Sequence, residues 1–91
     1  MKYLVAFDIS NTRRRNAVVK CCLGVGFRVQ KSVFEIFLES CRLGTFEESL
    51  LGMINAETDS VRIYPLDKLA DSGIRIIGCG KRIENKEVRF I

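Results

Sequence analysis

The run Tyr3 to Phe7 is almost continuously apolar and rich in β-formers, and it closes on Asp8. A strand of that kind needs cover on both faces, which places it at the centre of a sheet. Ser10, Asn11 and Thr12 follow, all competent helix caps, and the next segment reads as a helix to about Leu23. At about 100° per residue, Ala17, Val18, Cys21, Cys22 and Val25 form one stripe opposite Arg13, Asn16 and Lys20, so this helix packs by its stripe and shows a basic edge to solvent. Gly24 and Gly26 are expected to supply left-handed conformations that end it.

Phe27 to Gln30 and Val33 to Glu39 read as strands joined by Lys31 and Ser32, a two-residue loop that implies a hairpin. In the second run Phe34, Ile36 and Leu38 make an apolar face, while Val33, Glu35, Phe37 and Glu39 make a mixed one. Thr45 to Asn55 reads as a helix opened by a Thr45–Glu48 capping box, with Glu47 and Glu48 in the first turn and a stripe of Phe46, Leu50, Met53 and Ile54. Ser60 to Leu66 alternates as a strand, and Pro65 marks its end or a sheet edge. A turn through Asp67 to Gly73, a short strand over Ile74 to Cys79, a polar loop from Gly80 to Lys86 and a last strand over Val88 to Ile91 complete the pattern.

That order is the α+β, ferredoxin-like split βαβ plan (βαββαβ) with an extra C-terminal strand, an antiparallel sheet in the order 4-1-3-2 and both helices on one face. Ninety-one residues support one compact domain. Residues 1–79 are assigned to it, and 80–91 to a C-terminal loop and strand. The helices cover one sheet face, yet the strands are apolar on both, so the other face is expected to meet a second copy. The result is a homodimer through the sheet face, with the C-terminal strand pairing with the partner subunit.

The net charge of +4 is unevenly spread: residues 1–34 carry +6, with Asp8 their only acid, and residues 35–91 carry −2. Such a field favours phosphate-rich partners, although lysines and arginines also serve solubility. The chain has four cysteines without C-x-x-C spacing and no histidine, which argues against a zinc site or a Cys–His nucleophile pair. The opening MKYLVAFD resembles neither a signal peptide nor a membrane span. A reduced cytoplasm and no membrane partner are the expectation.

Arg13, Arg14 and Arg15 lie in the first turn of the first helix, where each cation opposes the helix dipole by about 0.3–1 kcal/mol. A helix N-terminus already attracts phosphate through free N–H groups, and arginines there add bidentate donors. Arg14 follows the buried stripe beyond its end, toward the strand terminus near Asp8, while Arg13 and Arg15 diverge from it as contacts to a nucleic-acid backbone. Asp8 has two readings. Its carboxylate can accept hydrogen bonds from the following turn, or it can ligate a hard divalent cation, Mg²⁺ or Mn²⁺, if a second copy supplies another carboxylate across a two-fold axis.

F-D-I at Phe7 to Ile9, R-R-R at Arg13 to Arg15, G-F-R-V-Q-K-S-V-F-E at Gly26 to Glu35 and D-S-V-R-I-Y at Asp59 to Tyr64 together closely resemble the CRISPR-associated protein 2 family, over essentially the whole chain. The resemblance implies a ferredoxin-like homodimer of CRISPR adaptation, a metal-dependent endonuclease on single-stranded RNA or double-stranded DNA. Asp8 and its symmetry mate would be the catalytic metal ligands. It also implies a bridge between copies of the CRISPR-associated integrase that holds the spacer duplex. The resemblance ties Arg14, Arg15 and Arg28 to nucleic acid or activity, with Phe34 as a supporting aromatic. Lys31 and Ser32, in the hairpin turn of the same motif, are counted among the phosphate-facing residues. Three of these have plain alternatives: Phe34 as core, Arg28 as a solvated strand face, Ser32 as a turn residue. Phe7 stands where the family commonly has Tyr, and Ser10 and Asn11 where it often has Pro and Asp, so Asp8 is the only acid of the loop. Competing readings are a non-catalytic dimeric DNA-binding scaffold bridging integrase subunits, a small-molecule regulatory module, and a toxin-type RNase of similar fold.

Overall fold

A computed structural model describes residues 1–78. The elements are β1 (Lys2–Asp8), α1 (Thr12–Leu23), β2 (Gly26–Gln30), β3 (Val33–Phe37), a 3₁₀ turn (Ser40–Arg42), α2 (Leu43–Leu51), β4 (Ser60–Leu66) and a short α3 (Lys68–Ser72). The sheet is antiparallel in the order β2-β3-β1-β4, the expected split βαβ arrangement with β1 inside.

Alternation along β1 sorts the sheet into two faces. Tyr3, Val5 and Phe7 are buried, and they join Phe34 and Ile36 of β3, Val18 and Cys22 of α1, and Phe46 and Leu50 of α2 in one core. Both longer helices therefore lie on one face, as expected. Lys2, Leu4, Ala6 and Asp8 take the other face, together with Val33, Glu35 and Phe37 of β3 and Arg62 and Tyr64 of β4. One end of this second face is closed by charge: Lys2 Nζ lies 2.6 Å from Glu35 Oε1 and 2.7 Å from Asp71 Oδ1 of α3. Burial of the Lys2 ammonium works to lower its pKa, but hydrogen bonds to Asp71 and Glu35 outweigh that and raise it. The Asp8 end is open, with Asp8 and Arg62 exposed and Tyr64 43% exposed.

Several local expectations give way to tertiary context. The second helix starts at Leu43, directly after the 3₁₀ turn, so Thr45 lies inside it and the Thr45–Glu48 capping box does not form; the cap residue, Arg42, makes no side-chain cap hydrogen bond. It also ends at Leu51, although Met53 and Ile54 still pack against the core. Neither Gly24 nor Gly26 is left-handed: among the described glycines only Gly78 has positive φ. Gly26 is needed for a different reason, because a Cβ there would overlap the Glu35 carbonyl oxygen and Ile36 Cα where β2 meets β3. The β3 strand ends at Phe37 rather than Glu39. Asp67 caps a helical turn, α3, where a simple turn was expected, and residues 74–78 form no strand, with Ile77 97% exposed. Cys79 and the final strand expected over Val88 to Ile91 lie outside the described residues. Pro65 sits within β4, which pairs with β1 alone among the described strands, so the edge reading of Pro65 holds.

Candidate nucleic-acid interface and metal-ligand site

Three elements converge at the carboxyl end of β1. The Phe7 N–H donates to the Ser32 carbonyl at 3.0 Å, which holds the Lys31–Ser32 turn against the strand end. On the other side Asp8 is in register with Ser60, the first residue of β4. From Asp8 the chain passes through buried Ile9 to α1, whose N-cap is Asn11: its Oδ1 accepts the Arg14 N–H at 2.9 Å. Because Asn11 does the capping, Asp8 is not required for it. The Asp8 carboxylate is exposed and makes no hydrogen bond or ion pair among the described residues.

The three arginines of the first turn separate. Arg13 is exposed, with no ion pair among the described residues. Arg15 folds back onto the loop, its guanidinium donating to the Ile9 carbonyl at 3.2 Å. Arg14 turns away toward the α2–β4 connection, where its Nε and Nη2 donate to Asp59 Oδ2 and Oδ1 at 2.7 and 3.2 Å. The Asp59 side chain is fully buried and also accepts from the Asn55 N–H at 2.9 Å and the Thr58 hydroxyl at 3.3 Å.

Arg14, followed by the Asn55 N–H, holds the Asp59 carboxyl below its ordinary value of 3.8, and Asp59 in turn raises Arg14. A carboxyl whose folded pKa is depressed contributes stability that is complete above the unfolded pKa and is lost as pH falls through the folded one. Asp59→Asn should therefore lower the melting temperature at pH 7 and flatten the stability–pH curve below about pH 4, which thermal melts across that range would read. A mutant curve parallel to the parent's in acid would exclude this role for Asp59.

The remaining candidates are dispersed. Lys31 is exposed and Ser32 half-buried in the hairpin turn. Arg28, on edge strand β2, shares a register with Phe34, so it lies on the helix-covered side of the sheet, opposite to Asp8; its guanidinium sits 5.3 Å above the Phe34 ring. Phe34 is fully buried and stacks on Phe7 at 5.8 Å between ring centres, the core arrangement that its place in an alternating strand allowed. Cys22 is likewise core, and burial pushes its thiol up to about 12, far from thiolate reactivity. Asp59 is the functional-region residue that sequence reasoning missed; its one signal was its place at the head of D-S-V-R-I-Y.

A single carboxylate is a hard oxygen donor suited to Mg²⁺ or Mn²⁺ but too few for a site. No group of three or more Asp, Glu, His or Cys side chains able to hold a metal occurs among the described residues. Nor is any described helix long and apolar enough to cross a membrane.

The family model for CRISPR associated protein Cas2 matches residues 1–72. A curated relative from Thermodesulfovibrio yellowstonii, CRISPR-associated endoribonuclease Cas2 2, is 39% identical over 83 residues, covering 91% of this chain and 89% of its own. Among solved structures, Streptococcus pyogenes Cas2 superposes with a TM-score of 0.76 at 33% identity, over 86% of this chain and 100% of the other. A chain of a partial Cas6-RT-Cas1–Cas2 complex superposes with a TM-score of 0.75 at 28% identity, over 90% and 94%.

Proposed function

The chain belongs to the CRISPR associated protein Cas2 family, and from that premise we propose that it is a metal-dependent endonuclease of CRISPR adaptation, acting on RNA or double-stranded DNA as a homodimer. The observation that carries this reading is the Asp8 carboxylate: exposed, unpaired among the described residues, beside a basic helix start, and on the sheet face that the longer helices leave open. A second copy applied to that face through Leu4, Ala6, Val33 and Tyr64 would bring two Asp8 carboxylates toward one axis. Together they would hold Mg²⁺ or Mn²⁺. Such an ion supplies positive charge to a phosphoryl oxygen and acidity to a bound water. Arg13, Lys31 and Ser32 border the same strand end and would orient the phosphate backbone, while Arg15 keeps the Asp8 loop closed and presents the rest of its guanidinium outward. Arg28, on the other side of the sheet, would extend the basic track beyond the cutting site.

The second reading is a non-catalytic scaffold bridging integrase subunits on DNA. It is favoured by the similarity to a chain solved in a complex with Cas1. Binding of short duplex DNA and single-stranded RNA across a salt series, with cleavage assayed in Mg²⁺ with and without chelator, separates the two. The enzymatic reading predicts steep salt dependence and cleavage that chelator stops. Arg13→Ala or Lys31→Ala should each reduce the slope of log K against log salt by about 1. Binding without any cleavage would favour the scaffold, and binding insensitive to salt would remove both.

A further inference from the structure

Three consecutive arginines would ordinarily be taken as one phosphate-binding run. Their contacts say otherwise. Arg14 commits Nε and Nη2 to Asp59, whose carboxylate has no exposed side-chain surface and neutralises the Arg14 charge, so that the 32% of the Arg14 side chain left exposed carries no net charge to offer a phosphate. The Asp59 carboxylate is also the knot of the α2–β4 connection, since both of its oxygens accept, from the Asn55 N–H and the Thr58 hydroxyl as well as from Arg14. The Asp59 N–H in turn donates to the Asn55 carbonyl at 2.8 Å. The residue after Asp59 is Ser60, the strand partner of Asp8. On the α1 side, the Arg14 N–H is the group capped by Asn11. One side chain pair therefore ties the start of α1 to the start of β4, on either side of the Asp8 loop.

We infer that Arg14 and Asp59 are a positioning pair that fixes Asp8 between β4 and the first turn of α1, and that Arg14 takes no part in holding phosphate. The physical basis is the cost of the alternative. Moving Arg14 to a phosphate would leave a buried carboxylate without its cation, and breaking one side of such a pair is far more costly than never forming it. Arg13, which has no such commitment among the described residues, is the phosphate contact of the turn. The inference rests on the proposed function for its link to cleavage, but the division of labour between Arg13 and Arg14 does not.

The test uses three readouts on the full chain. In the wild-type protein, the Arg14 Nε–H resonance should keep its position when short mixed-sequence duplex DNA is added, while that of Arg13 shifts. In binding, Arg13→Gln should lower the salt slope by about 1 and Arg14→Gln should leave it unchanged. In cleavage, Arg14→Gln and Asp59→Asn should lower kcat by about tenfold or more with KM unchanged, since small misplacements of a reacting group carry costs of that size. The inference is overturned if Arg14→Gln lowers the salt slope as Arg13→Gln does, if the Arg14 Nε–H resonance moves with DNA, or if both variants cleave with wild-type kcat. A parent protein that binds but never cleaves would remove the enzymatic reading, and the resonance and slope measurements would still decide the role of Arg14.

Discussion

Asp8→Ala should abolish the proposed metal-dependent cleavage, lowering its rate by at least about a hundredfold, and should leave binding of uncut nucleic acid near the parent level. The size follows from the scarcity of alternatives: no other acid lies between Met1 and Phe34, and no three-ligand cluster exists among the described residues to take over the metal. The selectivity follows from the contacts. The Asp8 carboxylate holds nothing in place among the described residues, so its loss removes no native hydrogen bond and the variant should melt at or slightly above the parent temperature. Removing a like charge from each side of a two-fold axis would also ease dimer formation. Nuclease assays, binding curves and melts on one preparation read all three. A variant that cleaves like the parent would end the metal-ligand role of Asp8, and one that cleaves poorly because it unfolds would mean the carboxylate is structural after all.

Phe34→Ala should cost about 3–5 kcal/mol, a large share of the roughly 5–15 kcal/mol that stabilises a domain of this kind. Its ring has no solvent exposure, stacks on Phe7 and lies beneath the Arg28 guanidinium, so truncation leaves a void in the middle of the core and removes the support of a basic residue. Activity should fall only as far as the folded fraction falls. Phe34→Leu, which refills most of the volume, should recover stability to within about 1.5 kcal/mol and recover binding and cleavage with it. Urea titrations paired with cleavage assays give both quantities. A leucine variant that melts near the parent temperature yet neither binds nor cleaves would show that the aromatic ring itself touches the nucleic acid.

The framework was legible wherever local pattern and global packing agree. Tyr3 to Phe7 could only be a central strand, and Phe34 and Ile36 face inward because the alternation around them leaves no other choice. The hairpin at Lys31 and Ser32 followed from loop length alone. Legibility failed where a tertiary contact outranked a local signal. Thr45 and Glu48 have capping chemistry, but a preceding 3₁₀ turn already carries the chain into the helix. Gly26 signalled a left-handed residue and instead answers to a close approach between strands. The site was half legible for the same reason. Asp8 and the arginines stand together in sequence, but the acid that engages Arg14 lies 45 residues further on, and no periodicity links a buried carboxylate in a loop to a cation at a helix start.

If each chain carries half of a metal site, mixed dimers will reveal it. Wild-type and Asp8→Ala subunits, differently tagged, mixed in equal amounts and allowed to exchange, yield homodimers and heterodimers whose proportions native mass measurement gives. If cleavage needs both Asp8 carboxylates, isolated heterodimers are inactive and the equal mixture retains about one quarter of the wild-type rate. If heterodimers cleave at half the wild-type rate or more, so that the equal mixture retains at least about one half of the wild-type rate, each Asp8 acts alone and a shared metal is excluded.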